Sequence, residues 1–238
     1  MLLRVPVHDA AHGFVPGRSI VTNAQAHVGK AVVINLDLKD FFPSVDYPRV
    51  RGLLRSLGLA PEGATLLALL LTEPETTEVA LDGERFFVSN GTRRLPQGSP
   101  ASPAITNILC RRLDRRLAGL AKAMGLAYTR YADDLPSSST SAQAPVQSLI
   151  AAVKGIVSDE SFTVHPEKTR VMRAGRRQEV TGLVVNEQLS VPRERLRQFR
   201  ALLFQVERDG PEGKQWGAGR DLFASMFGFA GLVAMVDP

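Results

Sequence analysis

The stretch AVVINLD, residues 31–37, predicts a β-strand that ends in a carboxylate. Its side chains alternate between two faces, with Val32, Ile34 and Leu36 on one and Val33, Asn35 and Asp37 on the other. A second short strand, residues 126–131, leads directly to Asp133 and Asp134. If the two strands are neighbours in one sheet, the three aspartates meet at its edge.

The rest of the chain mixes helix and strand patterns in no regular order. Helices are predicted at residues 50–57, 102–120, 149–156, 192–206 and 220–235, and further strands at residues 162–164 and 180–185. The pair Asp82-Gly83 predicts a hairpin turn within residues 79–88. Ser102 is the predicted N-cap of its helix, with Pro103 at the first helical position. Because strands do not alternate regularly with helices, we predict an α+β fold with an antiparallel sheet and packed helices.

The composition is that of a folded protein. Of the 238 residues, 44% are hydrophobic and 22% are charged, which excludes wholesale disorder. The single cysteine, Cys110, excludes a disulfide framework and a cysteine-rich zinc site, and it favours a reducing compartment. Neither a long apolar span nor a signal peptide is recognisable, so we expect a cytoplasmic protein without a membrane partner.

The net charge of +5 is concentrated in one segment. Residues 165–200 contain nine Lys and Arg residues and four Glu residues. This cluster favours a nucleic-acid partner, because contacts to phosphates release counterions, although a solvated helix face has a similar composition. Arg193, Arg197 and Arg200 are spaced to share one helix face, which could follow a duplex backbone.

The three aspartates are candidates for a divalent-metal site. Hard cations such as Mg²⁺ prefer carboxylate oxygens, and a shared ion offsets the repulsion between neighbouring acids. Three carboxylates can hold two metals about 3.5–4 Å apart, the arrangement that supports in-line nucleotidyl transfer. The alternative is an ordinary surface turn, where aspartate is common.

Four motifs together resemble those of reverse transcriptases. They are LDLKDFF at residues 36–42, PQGSPASP at 96–103 with Asn107 after it, YADD at 131–134 and HPEKTR at 165–170. Three further motifs are similar to those of the retron type: HGFVPGRSI at 12–20, NAQAH at 23–27 and VTG at 180–182. The resemblance extends from His12 to Pro238.

The resemblance implies a right-hand polymerase with a palm sheet, partial fingers and a C-terminal helical thumb. We expect the fingers and palm in residues 1–191 and the thumb in residues 192–238. The implied activity is RNA-directed DNA synthesis from deoxynucleoside triphosphates (dNTPs), with two Mg²⁺ ions as cofactors. The implied template and primer is a structured retron noncoding RNA, copied from a 2′-hydroxyl into a branched RNA–DNA product. A role in phage defence and an accessory effector protein are implied as well.

The resemblance also assigns roles to individual residues. Asp37, Asp133 and Asp134 are the expected metal ligands and, with Lys168 near the leaving pyrophosphate, the expected catalytic residues. The expected nucleotide-binding residues are Phe42, Gln97, Gly98 and Arg18, with the Phe42 ring excluding a ribose 2′-hydroxyl. The expected RNA-binding residues are Asn23, His27, Val180, Thr181, Gly182, Arg193, Arg197 and Arg200.

Structural alternatives stay open for several of these residues. Phe42 could be a core aromatic, Lys168 a solvated surface residue and His27 a buried structural histidine. Arg18 could pair with an internal carboxylate rather than with a phosphate. Trp216 is expected in the thumb core rather than as a platform for base stacking.

Two features depart from the family pattern. The sequence starts at the HGFVPGRSI motif, so we expect the fingers segment that usually precedes it to be missing, with Met1 an internal methionine or a misassigned start. Pro136 removes a strand N–H just after YADD, and serines follow it, so we expect a frayed returning strand. These features favour the alternative of a truncated or decayed retron RNA-binding protein without activity. A group II intron-type reverse transcriptase is a third alternative.

Overall fold

The computed structural model describes residues 2–219 and 221–237, and within them helices and strands follow one another in a mixed order. The helices are α1 (Ile20–Gln25), α2 (Tyr47–Ser56), α3 (Pro61–Leu71), α4 (Ser102–Leu109), α5 (Arg111–Ala123), α6 (Val146–Asp159), α7 (Arg193–Asp209) and α8 (Leu222–Val236). The strands are β1 (Val32–Lys39), β2 (Glu73–Leu81), β3 (Glu84–Arg94), β4 (Ala127–Tyr128), β5 (Asp134–Ser139), β6 (Thr163–Val164), β7 (Arg170–Arg173), β8 (Glu179–Val180) and β9 (Leu183–Val184).

The strand predicted at residues 31–37 is the centre of the main sheet. β1 pairs with β5 on one side and with β6 and β7 on the other, while β4 lies beyond β5. Every pairing in this sheet is antiparallel. The predicted α+β class with an antiparallel sheet is therefore confirmed.

The two faces of β1 pack into different parts of the molecule, as the alternation predicted. Val32, Ile34, Leu36 and Leu38 are buried in a first core, which they form with residues of α2 to α6. Val33, on the opposite face, belongs to a second core. Asn35 and Asp37 follow on that second face and are only half-buried. The strand thus delivers the Asp37 carboxylate outside both cores.

The strand after the YADD motif is fully formed, so the expected fraying is wrong. All of β5 pairs with β1, and Pro136 lies opposite Asn35. The carbonyl of Pro136 accepts the N–H of Thr129 at 3.1 Å. In an antiparallel strand the N–H and C=O of one residue point to the same neighbour, so the missing N–H of Pro136 faces away from β1. The ladder that holds Asp134 beside Asp37 is therefore intact.

The long helix predicted from Ser102 is divided in two. α4 ends before Cys110 and α5 begins after it. Ala101 takes the N-cap position that was predicted for Ser102, because the Ser102 hydroxyl donates instead to the carbonyl of Pro96 at 2.8 Å. The predicted apolar stripe is still buried in the first core, through Ile105, Leu113 and Leu117.

The hairpin predicted around Asp82-Gly83 is present and longer than expected. β2 and β3 pair from Glu73 to Arg94, and the turn residues have φ angles of +53° and +83°. Positive φ at both positions is the geometry of a tight type I′ hairpin turn. Residues 75–92 are exposed throughout, so this hairpin projects from the body of the protein.

The second core joins the C-terminal helices to the sheet. It contains Phe199 of α7 and Phe229 of α8, whose rings and that of Trp216 meet at centroid distances of 4.8, 5.0 and 5.1 Å. Trp216 is half-buried and packs against this core, in agreement with its expected place in packing rather than in base stacking. The same core includes Val33 of β1, so apolar packing crosses residue 191, and the domain boundary there stays a prediction.

The end of the chain is an apolar helix that begins slightly later than predicted. α8 starts at Leu222, and Arg220, the predicted start, lies outside the described residues. Among residues 2–219 and 221–237, no helix is both long enough and apolar enough to cross a membrane.

The segment 180–185, predicted as one strand, is a tight hairpin. β8 and β9 pair with each other around Thr181 and Gly182, whose φ angles are +47° and +81°. Left-handed residues cannot continue a strand, which is why the single-strand prediction fails here. Val180 and Leu183, on either side of the turn, are buried in the second core.

Candidate active site

The structure brings the three predicted metal-binding aspartates to one edge of the sheet. Asp37 and Asp134 are directly opposite each other on β1 and β5. Asp133 lies in the turn between Tyr131 and Asp134, which exchange backbone hydrogen bonds of 2.9 and 3.0 Å. The carbonyl of Asp133 accepts the N–H of Leu38 at 2.9 Å, which ties the turn to β1. The sequence predicted that these residues would meet, but it placed the wrong strand beside β1. The strand before the turn, β4, pairs with β5, and it is β5, beginning at Asp134, that pairs with β1.

The turn that carries Asp133 is packed tightly against the N-terminal segment. Ala132 has a φ of +55°, and a Cβ atom on Gly13 would lie 2.6 Å from the Ala132 nitrogen. Only glycine fits so close to another backbone. The side-chain amide of Asn107 donates to the carbonyl of Gly13 at 2.8 Å, which fixes this approach.

A buried ion pair supports the same turn, and sequence reasoning missed it. Arg130 and Asp114 are fully buried and joined by two hydrogen bonds of 2.8 Å. The Nη1 atom of Arg130 donates to the side-chain oxygen of Asn107 at 2.9 Å and to the carbonyl of Ala132 at 3.1 Å. The available signal was a charged residue at position 114, next to Leu113 in the apolar stripe of the helix.

The local electrostatics favour a cation at the carboxylates. Burial, followed by the charges of Asp133 and Asp37, raises the pKa of Asp134 to about 6. The pKa of Asp133 is also raised, first by burial and then by Asp37. Since two neighbouring carboxylates resist ionisation, positive charge placed between them would relieve the repulsion.

Lys168 supplies one such charge. Its ammonium donates to both carboxylate oxygens of Asp37, at 3.0 and 3.2 Å. The hydrogen bond to Asp37, followed by the Asp37 charge, raises the pKa of Lys168, so the group is charged at neutral pH. The side chain is 54% exposed, which leaves the ammonium accessible to a ligand. Lys168 is thus an exposed residue whose ammonium lies at the carboxylates, and its catalytic role stays a prediction.

The carboxylates fit an Mg²⁺ site in which the substrate supplies some of the ligands. Within the described ranges, no three His, Cys, Asp or Glu side chains form a ready-made metal cage. Mg²⁺ is usually held by one or two carboxylates together with phosphate oxygens of the substrate. Asp37, Asp133 and Asp134 match that donor set, and burial raises the pKa values of the latter two because it disfavours a carboxylate charge that lacks a nearby cation.

Two of the predicted nucleotide-binding residues share one cavity. Phe42 and Gly98 line a space of about 440 Å³ together with Phe14. Gly98 has a φ of +88°, a conformation that glycine adopts without strain. Gln97 is exposed beside Gly98 and is not part of this lining.

Phe14 was missed by the sequence analysis. Its ring lies 6.5 Å from that of Phe42 and 6.3 Å from that of Tyr131, and its φ is +58°. A left-handed aromatic residue is an outlier that tends to mark a functional position. It belongs to the HGFVPGRSI motif, and its exposure could not be read from the sequence.

Three of the predicted RNA-binding residues, His27, Asn23 and Val180, have buried side chains, and contact with RNA at these positions stays a prediction. The two ring nitrogens of His27 bond to the hydroxyls of Ser138 and Thr129 at 2.7 and 2.8 Å. Burial, followed by the charges of Lys30 and His12, lowers the pKa of His27 to about 4. Asn23 and Val180 are also fully buried. Of the VTG triplet, the half-buried Thr181 and the exposed Gly182 remain accessible.

Arg18 is engaged within the chain in this structure, and its role as a nucleotide ligand stays a prediction. Its guanidinium pairs with the carboxylate of Asp9 at 3.2 Å and donates to the carbonyls of Asp9 and Ala11. The internal-carboxylate alternative is therefore the one observed. On α7, the side chains of Arg193, Arg197 and Arg200 are all exposed, and their binding to a nucleic-acid backbone stays a prediction.

A second, polar cavity lies beside the carboxylates. It measures about 280 Å³ and is lined by residues from four parts of the chain: Asn35, Asp37, Asp134, Lys168, Arg170, Thr181 and Gly182 among them. The turn of the β8–β9 hairpin thus forms one wall of the candidate active site.

Sequence comparisons agree with this geometry. Residues 2–200 match the family described as reverse transcriptase (RNA-dependent DNA polymerase). The retron Mx162 reverse transcriptase of Myxococcus xanthus is 48% identical over 99% of this chain and 50% of its own length. The retron Mx65 reverse transcriptase of the same organism is 50% identical over 87% of this chain and 48% of its own length. The chain therefore spans about half the length of these curated relatives.

A solved structure shows the same fold. Telomerase from Candida albicans, determined with a fragment of telomeric RNA, superposes with a TM-score of 0.56 over 95% of this chain and 44% of its own. At 12% identity the likeness concerns the fold alone, and it agrees with the predicted polymerase palm. With the family match over residues 2–200, the chain belongs to the reverse transcriptase family and is similar to its retron members.

Proposed function

We propose that this chain is an RNA-directed DNA polymerase. The observation that carries the proposal is the meeting of Asp37 and Asp134 on neighbouring strands, with Asp133 in the adjoining turn, in a member of the reverse transcriptase family. In this reaction a hydroxyl oxygen attacks the α-phosphorus of a dNTP, and pyrophosphate leaves. Clustered carboxylates at a sheet edge suit this chemistry because they bind the divalent ions that it uses.

Asp37, Asp133 and Asp134 would hold two Mg²⁺ ions together with oxygens of the triphosphate. When bound, the ions would lower the pKa of the attacking hydroxyl and neutralise charge on the leaving group. The protein's own contribution is to fix the three carboxylates on a rigid ladder. That ladder is the paired β1 and β5, with the turn clamped by Gly13 and Arg130.

Lys168 is proposed to act on the leaving pyrophosphate. Its ammonium is charged and accessible, and its partner in this structure is the carboxylate of Asp37. A phosphate oxygen can replace that carboxylate as the acceptor. From there Lys168 can neutralise the pyrophosphate or donate a proton to it, provided that the donor lies within hydrogen-bond reach.

The cavity lined by Phe42 and Gly98 is the proposed nucleotide pocket. A ring below the sugar leaves no space for a 2′-hydroxyl, so Phe42 would favour deoxynucleotides. Gln97 would contribute from the rim of the same pocket, where it is exposed.

The proposed template and primer is a structured retron noncoding RNA. The similarity to retron reverse transcriptases supports this choice, and the exposed Arg193, Arg197 and Arg200 provide a basic face for a nucleic-acid backbone. Priming from a 2′-hydroxyl would give a branched RNA–DNA product. The proposed role in phage defence, with an accessory effector protein, rests on the family resemblance.

Primer extension on an RNA template tests the proposal. We expect the purified chain to extend a DNA primer with Mg²⁺ and dNTPs, and to lose this activity in EDTA or with Asp133→Asn. The matched control is Asp82→Asn, the same change in the exposed turn of the β2–β3 hairpin, which should leave extension unchanged. Failure of the folded chain to extend any primer would reject the proposed activity and favour the noncatalytic RNA-binding alternative.

A further inference from the structure

The turn of the β8–β9 hairpin is held against the catalytic strand by side-chain amides. The amide nitrogen of Asn35 donates to the carbonyl of Glu179 at 3.1 Å. The amide nitrogen of Asn23 reaches the hydroxyl of Thr181 at 3.5 Å, and that hydroxyl donates to the carbonyl of Ile20 at 3.2 Å. The turn is therefore tied on one side to β1 and on the other to α1.

Both asparagines use only the nitrogen of the side-chain amide in these contacts. The side-chain oxygens of Asn23 and Asn35 are buried and have no hydrogen-bond partner within the described part of the chain. A buried acceptor without a partner destabilises a fold, so a native structure needs a reason to keep it. In both residues the other half of the amide is directed at the same hairpin.

The backbone of the turn is strained at Thr181, the residue that the contact from Asn23 reaches. Thr181 has a φ of +47°, and a β-branched residue in this region is a genuine outlier. Such strain persists only when the surroundings determine the conformation, and it concentrates at functional sites. The contacts from Asn23 and to Ile20 supply that determination at Thr181 itself.

Asn35 also shares a strand face with a catalytic residue. It lies two positions before Asp37 on β1, and both side chains line the polar cavity of about 280 Å³ with Thr181 and Gly182. The nucleotide pocket of Phe42 and Gly98 is a separate cavity with different lining residues. The hairpin turn therefore borders the carboxylates and Lys168, and it does not line the pocket proposed for the sugar of the nucleotide.

We propose that Asn35 is a positioning residue for polymerisation. It ties the β8–β9 hairpin to the strand that carries Asp37 and so fixes the Thr181–Gly182 turn as a wall of the catalytic cavity. Asn23 makes the second tie. This inference rests on the proposed function, and it assigns to Asn35 an effect on the binding of the primer–template end rather than of the dNTP.

Asn35→Leu removes the tie with little change of side-chain volume and no added charge. We expect the KM for primer–template to rise about fivefold to tenfold, as for a lost hydrogen bond, while the KM for dNTP stays within about twofold. The melting temperature should stay equal or rise, because the substitution also removes the unpaired oxygen of Asn35. Asn90→Leu is the control, since Asn90 makes a comparable amide contact, to Thr77, in the exposed β2–β3 hairpin.

A merely structural role would give a different pattern. It would lower the amount of active enzyme and hence the maximal rate, with both KM values unchanged. That result, or an equal effect of Asn90→Leu, would overturn the proposal. Asn23→Ala should shift the primer–template KM in the same direction, which guards against a folding defect peculiar to one variant.

Hydrogen exchange tests the tie without relying on activity. In Asn35→Leu, backbone amides of residues 179–184 should exchange at least about fivefold faster, while those of β1 and β5 keep their rates. Unchanged exchange in the hairpin would refute the tie. An inactive wild-type chain would reject the proposed function, and with it the kinetic role of Asn35, while the exchange measurement would still decide whether Asn35 fixes the turn.

Discussion

At the residue scale, Asp134 shows a conflict between stability and chemistry. Burial and the neighbouring Asp133 and Asp37 raise its pKa to about 6. The folded chain therefore binds a proton at this site more tightly than the unfolded chain, and folding stability falls as the pH rises from about 4 to 6. At pH 7 the ionised carboxylate destabilises the fold. Residues retained in spite of such an effect are commonly functional.

Replacing this carboxylate should separate the two effects. We expect Asp134→Asn to abolish primer extension. In EDTA at pH 7 the same substitution should raise the free energy of unfolding by about 2 kcal/mol, which corresponds to an increase in Tm of about 5 °C. Thermal unfolding followed by circular dichroism measures this shift. Adding Mg²⁺ should raise the Tm of the wild type more than that of the variant. A variant that melts below the wild type in EDTA would contradict the argument.

For the buried pair of Arg130 and Asp114, we expect the loss of a carboxylate to destabilise the chain rather than to stabilise it. Asp114→Leu leaves the Arg130 guanidinium buried without its carboxylate, so we expect a loss of about 3–5 kcal/mol in the free energy of unfolding. The double variant Asp114→Leu with Arg130→Met should regain much of this stability, because it removes both charges. Urea denaturation measures both effects. If the double variant were as unstable as the single one, the unpaired charge would not be the cause.

The double variant should nevertheless remain impaired in polymerisation. Arg130 also donates to the carbonyl of Ala132, the residue before Asp133. Primer extension well below that of the wild type, in a variant of restored stability, is the expected outcome. Full activity would show that the turn does not depend on this hydrogen bond.

At the scale of elements, pairing between β5 and β1 holds in place the turn that carries Asp133. Pro136 is tolerated because its missing N–H faces away from β1, so the pairing of Asp37 with Asp134 is complete. This removes the argument for a decayed enzyme that the proline and serines had suggested. The serines of this strand are buried, and Ser138 has its own partner in the ring of His27.

We therefore expect Pro136→Thr to leave activity within about twofold of the wild type, since no ladder bond to β1 is restored. Steady-state primer extension, compared at equal concentrations of folded protein, measures this. A large gain of activity in Pro136→Thr would show that β5 is the weak element after all.

At the scale of the whole molecule, His27 connects three segments that are distant in sequence. It follows α1 and bonds to Ser138 of β5 and to Thr129. Its pKa is lowered to about 4 by burial, and then by the charges of Lys30 and His12. Between pH 6.5 and 4 the unfolded chain takes up a proton here that the folded chain does not. Stability from this site is complete above pH 6.5 and is lost as the pH falls towards 4.

The expected size of this loss is about 3 kcal/mol in the free energy of unfolding. Asp134 titrates in the same pH range and has the opposite effect on stability. The contribution of His27 is therefore obtained by comparing the stability of the wild type with that of a His27 variant at each pH. We expect His27→Gln to be less stable than the wild type at pH 7 and to lose less stability between pH 6.5 and 4. Urea denaturation across this range measures both. Parallel curves would show that His27 does not titrate as inferred.

The sequence by itself determined strand β1, the aspartates that meet at its end and the family, but not the strand that pairs with β1. The alternation in residues 31–37 is a local property of a strand with two different faces, so it predicted which side chains would accompany Asp37. The hairpin turn at Asp82-Gly83 and the basic helix from residue 193 were also readable, because caps and turns depend on near neighbours. The four polymerase motifs identified the carboxylates before any contact was known.

Only the tertiary structure decided what surrounds those carboxylates. The hydrogen bonds from Asn35 to Glu179 and from Asn23 towards Thr181 join residues 144 and 158 positions apart. Three further features depend in the same way on residues that folding brings together. They are the burial of His27, the ion pair of Arg18 with Asp9 and the orientation of the Pro136 nitrogen away from β1. Motif patterns report which residue types occur together, whereas burial and hydrogen-bond partners are set by packing between segments distant in sequence.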